Sequence, residues 1–149
     1  MRFSISYFPM VRYFQSNQIG ISTAVWKPKY WNYGLNKHNS VTGIEEKILS
    51  PYYVEQYCCK DCQHKNSIPN CPFIKDYRKY LDTVDFNYLI VEFKRIAEDV
   101  KKINNYIGEP EIILLVYETP DNPCSERIAL IDYFKKHGIE LKEYKKSIV

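Results

Sequence analysis

Residues 112–116, Ile-Ile-Leu-Leu-Val, form an uninterrupted apolar run. A strand with one wet face alternates apolar and polar side chains. A continuous run instead fits a strand buried on both faces, as in a parallel sheet covered by helices. The segment that follows, Tyr117-Glu118-Thr119-Pro120-Asp121-Asn122-Pro123, cannot extend the strand. Its prolines lack the N–H that a ladder needs, and its Asx side chains close turns. Asn122 is placed to cap a helix with Pro123 at its first position, where a missing N–H costs nothing. Ile128, Leu130, Ile131 and Phe134 give that helix an apolar face, and Gly138 after His137 supplies a stop. Ile139, Leu141 and Tyr144 then suggest a last short strand. Residues 111–144 therefore form a βαβ-like unit.

A second such unit opens the chain. Phe3, Ile5 and Tyr7 alternate with Ser4 and Ser6, the pattern of a half-buried strand. Pro9 to Ser16 suits a short helix, and residues 19–25 read as another strand, a separation that fits a parallel crossover. Residues 84–107 carry the strongest helical periodicity, with Phe86, Phe93, Ile96, Val100, Ile103 and Ile107 on one side and charges on the other. Asp85 or Thr83 can cap it, and Gly108 and Pro110 end it. The fold class is thus α/β: a Rossmann-like, mostly parallel sheet of about four strands flanked by helices. At 149 residues it makes a single domain, 1–149, that buries roughly 70% of its unfolded surface. Residues 40–80 stand apart as a divergent, cysteine-rich insertion.

That insertion holds Cys58, Cys59, Cys62, His64 and Cys71. No run approaches the ~20 apolar residues of a membrane span, and residues 1–10 lack a signal-peptide core, which points to the cytoplasm and away from membranes. There, clustered thiols more often hold metal than form disulfides. The Cys59-x2-Cys62 spacing lets two thiolates reach one tetrahedral ion. Cys71 and either Cys58 or His64 would complete a closed zinc site, with an iron–sulfur cluster as the other cofactor these ligands suit. The plainer alternative is a set of reduced thiols lining a loop.

Between residues 26 and 38, Trp26, Tyr30, Trp31 and Tyr33 interleave with Lys27, Lys29 and Lys37. Such a loop can stack on bases while its cations meet phosphates. It can equally cover a sheet edge with its indoles. The net charge of +3 does not demand a nucleic-acid partner, although clustering would permit one.

The turn after the apolar run carries the remaining chemistry. Open parallel sheets bind ligands beyond the carboxyl ends of their strands, where Ser6, Tyr7, Ser22, Thr23 and Tyr117 to Thr119 should emerge. Cys124 falls in the expected first turn of its helix, where free N–H groups and the dipole favour an anion and a thiolate. Arg127 adds a planar donor fork for carboxylate or phosphate. Tyr117 and Glu118 are placed as hydrogen-bond donor and base. The expectation is an anionic small-molecule site, with covalent catalysis by Cys124 as its bolder version. The alternative is that Cys124 packs with Ile128 and Ile131 on one helical face.

Several of these pieces together resemble the domain-of-unknown-function 488 family, in its short phage and prokaryotic form. They are Ser6-Tyr7-Phe8, Ile21-Ser22 followed by Trp26-Lys27-Pro28-Lys29-Tyr30-Trp31, then Leu115-Val116-Tyr117-Glu118-Thr119-Pro120 with Cys124, Arg127 and His137-Gly138-Ile139. The family typically shows Cys-His-Arg where this chain reads Cys124-Ser125-Glu126-Arg127, so the histidine is absent and the arginine stands one position later. The resemblance implies a Rossmann-like fold and no settled activity; Trp26 and Lys27, which open the aromatic and basic loop, complete the candidate ligand-binding residues.

Overall fold

The computed structural model describes residues 1–24, 47–51, 71–122 and 125–146. Its centre is the apolar run. Strand β3, Glu111–Val116, is flanked by β1, Arg2–Tyr7, on one side and β2, Gln18–Ser22, on the other, both parallel to it. A short β4, Lys142–Glu143, adds to the far edge of β1, also parallel, so the sheet order is β2-β3-β1-β4. The most apolar strand takes the middle because it alone can lose water on both faces without stranding a polar side chain. Residues 112–116 are all fully buried. Each such aliphatic side chain contributes about 1.5–3 kcal/mol when removed from water.

Strand alternation divides this burial between two clusters. Ile112, Leu114 and Val116 join Ile5, Ile19 and Ile21 under three helices. These are α1, Pro72–Leu81, α2, Phe86–Asn104, and α3, Arg127–Lys136. Ile113 and Leu115 point to the opposite face, against Phe8, Val11, Phe14 and Tyr144. The short expected helix near Pro9 is a 3-10 helix over Phe8–Tyr13, with the proline in its first turn. The α/β class with an all-parallel four-stranded sheet is therefore observed. Among the described residues no helix is long and apolar enough to cross a membrane.

The structure differs from the sequence reading at the end of α2, at the start and buried face of α3, and in the presence of α1. Helix α2 starts as expected, with the Asp85 carboxylate accepting from Asn87 N and Tyr88 N. It ends three residues early, because Asn105 takes the left-handed conformation (φ 52°). Tyr106 then folds back, and its hydroxyl donates to Ala97 O at 2.9 Å. This tyrosine closes the end of the core that Ile103 was expected to fill, and Ile103 and Ile107 are left 56% and 93% exposed. Helix α3 opens at Arg127 rather than Pro123, and the Ser125 hydroxyl, not Asn122, accepts the Arg127 N–H. Its buried face is Ala129, Leu130, Tyr133 and Phe134, whereas Ile128 is exposed and Ile131 only half-buried. Helix α1 was not anticipated, since residues 40–80 read as one divergent insertion. Yet Phe73, Ile74, Tyr77 and Leu81 recur at helical spacing and are buried. The cysteine-rich stretch from 52 to 70 lies outside the described residues.

Candidate functional site at the carboxyl ends of the strands

Because all four strands run the same way, their carboxyl ends share one rim, and β1 and β3 finish level at Tyr7 and Val116. Ser6, Leu115 and Ser22 occupy one register level just below it. Ser6 and Ser22 are buried on the face packed by Phe8 and Val11. The Ser22 hydroxyl accepts the Ala24 N–H, and Thr23 Oγ1 donates to Leu115 O at 3.0 Å. Ser6 Oγ is buried with no hydrogen-bond partner among the described residues. Tyr7 is half-buried, and Tyr117, 48% exposed, lays its ring against Phe8. Tyr7 and Tyr117 reach the rim, while the two serines lie under it.

The charged residues assemble around the turn from β3 to α3. Arg127 is buried although it is the first residue of its helix. Its guanidinium makes three hydrogen bonds: Nε donates to Glu143 Oε1 at 2.9 Å, one terminal nitrogen donates to Glu118 O at 2.7 Å, and the other reaches Glu143 Oε2 at 3.5 Å. The side chain thus ties the end of β3 to β4. Burial raises the Glu143 carboxyl, and Arg127 works against that rise. Any anion that used the Arg127 fork would first have to displace Glu143.

Beside this pair lie two more carboxyl groups. Glu126 is buried, and its pKa is pushed up to about 8, first by burial and next by the negative charge of Glu118. Glu118 Oε2 is itself buried with no hydrogen-bond partner among the described residues. A side-chain hydrogen bond to Glu118 works in the same direction, since a bond between two carboxyl groups needs a proton on one of them, and burial makes Glu126 the one that keeps it longer. The phenol of Tyr77 on α1 is also near, since the charge of Glu126 adds to the burial that raises its pKa. That hydroxyl is buried and donates to the Leu49 carbonyl.

The other expected residues distribute as follows. Cys124 lies outside the described residues, as do Trp26, Lys27 and the rest of the 26–38 loop. Of the proposed metal ligands, Cys58, Cys59, Cys62 and His64 are likewise outside them. Cys71 is described: it is 2% exposed, precedes α1, and packs in the core beneath the helices. Among the described residues no three metal-ligating side chains cluster. Glu126 and Glu143 were missed by the sequence reading. A glutamate at a helix start is commonplace, and only the fold brings position 143 back to position 127. Compared with protein-family models, curated proteins and solved structures, the chain matches none of them, so its own residues carry the functional reading.

Proposed function

We propose that this chain is a cytoplasmic protein related to the domain-of-unknown-function 488 family. In this reading it binds a small molecule at the carboxyl ends of its strands and acts on it by proton transfer through Glu118 and Glu126. What supports it is that Glu118 Oε2 is buried with no hydrogen-bond partner among the described residues, beside Glu126, whose carboxyl burial and Glu118 push up to about 8. A neutral carboxylic acid donates a hydrogen bond or a proton to a ligand oxygen or nitrogen, and its ionised partner accepts one. Acid and base then stand side by side. Arg127 and Glu143 fix the turn that carries Glu118 and Glu126, and so act as positioning residues. Cys124, two positions before Glu126 in the chain, is the nucleophile in the covalent version of this reading.

The test is a metabolite screen by thermal stabilisation on the wild type, repeated on Glu118→Gln and Glu126→Gln. Ligands of this site should lose their effect in at least one variant, and the wild-type response should change across neutral pH. If every stabilising ligand acts equally on all three proteins, the proton-transfer reading fails. Iodoacetamide labelling of the folded protein, mapped to Cys124, decides the covalent version. No labelling there rejects it.

A further inference from the structure

Among the described residues strand β4 lies at one end of the sheet, with β1 on one side only. In a parallel ladder a residue's N–H and C=O point to the same neighbour, and alternate residues point to opposite neighbours. Tyr144 N donates to Ile5 O at 2.8 Å, and Lys142 is two residues earlier. The backbone groups of Leu141, Glu143 and Lys145 therefore point away from the sheet. These same residues line a groove of about 900 Å³ between the β4 edge and α3. Apolar Ile131 and Ile139 line it with Leu141, and Ile128, one turn before Ile131 on α3, is exposed.

The charge of the groove chooses among possible occupants. Lys135, Lys142 and Lys145 line it, against Glu140 and Glu143, and Glu143 is already neutralised by Arg127. Lysines on an edge strand oppose pairing with a second copy, which would bring the same lysines together. They do not oppose an acidic partner. Backbone groups that point outward at strand spacing, beside apolar side chains, suit an extended polypeptide. We infer that the β4 edge and the α3 groove bind an acidic, extended peptide segment of a partner protein as an added strand. Alternate apolar side chains of that segment enter the groove, and its carboxylates meet Lys135 and Lys142.

The probe is a fluorescein-labelled octapeptide of alternating valine and glutamate, titrated by fluorescence polarisation with amide shifts followed by NMR. Saturable binding is expected, with the largest shifts at Leu141, Glu143 and Lys145. The surface variant Lys135→Glu/Lys142→Glu should weaken it by about tenfold or more, since like charges across an interface are strongly disfavoured. The same variant should gain affinity for a valine–lysine octapeptide. Absence of saturable binding overturns the inference. So does equal binding of a version with proline at alternate positions, which cannot donate to the edge, or of an oligothymidylate of the same charge. A concentration-dependent dimer whose formation excludes the peptide would assign the edge to a second copy and overturn it as well.

Discussion

Glu126→Gln isolates the shared proton. Glutamine keeps the shape of a protonated glutamate and can donate its amide to Glu118 Oε2, but it never ionises. The Glu126 carboxyl rises from 4.5 to about 8 on folding, chiefly by burial and secondly by Glu118. A carboxyl raised in the folded state holds its proton more tightly there than in the unfolded chain. Its stabilising contribution is therefore full below about pH 4.5 and is lost as the pH rises towards 8. The loss reaches at most about 1.4 kcal/mol per pH unit, with a ceiling of about 5 kcal/mol across the window. The exposed carboxylates held low by partners, Glu92, Glu109 and Asp121, act in the opposite sense and at more acidic pH. They are also common to both proteins, so they cancel in the difference.

The assay is urea unfolding followed by circular dichroism from pH 5 to 8.5, in wild type and variant. Near pH 5 the two proteins should have similar midpoints. By pH 8 the variant should be the more stable by several kcal/mol, because it has no proton to lose. Glu118→Gln should shrink the wild-type slope without abolishing it, since the burial of Glu126 remains. A stability difference between wild type and Glu126→Gln that stays constant from pH 5 to 8 would refute the shared proton, and the proton-transfer reading with it.

Arg127→Ala leaves Glu143 half-buried without its partner and should cost about 3 kcal/mol near neutrality, the low end for breaking a buried pair. The deficit should ease in acid as Glu143 takes up a proton, which urea midpoints at pH 4 and 7 would show. Asp85→Ala removes the acceptor for Asn87 N and Tyr88 N and should cost about 1 kcal/mol by the same assay. Phe93→Ala, at a fully buried contact between α2 and the sheet, should cost about 3–5 kcal/mol. Zinc held by Cys59, Cys62, Cys71 and one of Cys58 or His64 should appear as one equivalent of metal in elemental analysis after anaerobic purification. A brown chromophore would indicate iron–sulfur instead, and no stoichiometric metal would end the proposal.

Local signals located most of the framework. The 112–116 run announced a doubly buried strand, Asp85 a helix start and Gly138 a stop, because each acts through residues near it in sequence. What periodicity could not supply was the arrangement. Strand β3 inserts between β1 and β2, a pairing across roughly ninety residues that no short-range pattern encodes. Helix ends slipped for a similar reason. Ile103 fits the apolar face of α2 by spacing, but Tyr106, past the turn at Asn105, reaches the same core first. Helix α1 went unread although its spacing is regular, because a cluster of cysteines beside it made the whole stretch look like a metal loop.

The site shows the same division more sharply. Arg127 and Glu118 were singled out from sequence, and both lie at the turn, yet the roles inferred for them assumed that their side chains face outward. An arginine at a helix start looks like a free donor fork only until the crossover is completed. Helix α3 returns the chain to the edge of β1, and that return places Glu143 against the guanidinium at 2.9 Å. The guanidinium that the sequence offers to an anion is thereby paired with Glu143. Glu126 illustrates the converse: exposed, it would be an ordinary carboxylate near a helix N-terminus, ionised and welcome there. Burial beside Glu118 works against that preference and raises its carboxyl. The chemistry of this rim therefore follows from which carboxyl is neutralised by which neighbour, and that is decided by packing between residues far apart in the chain.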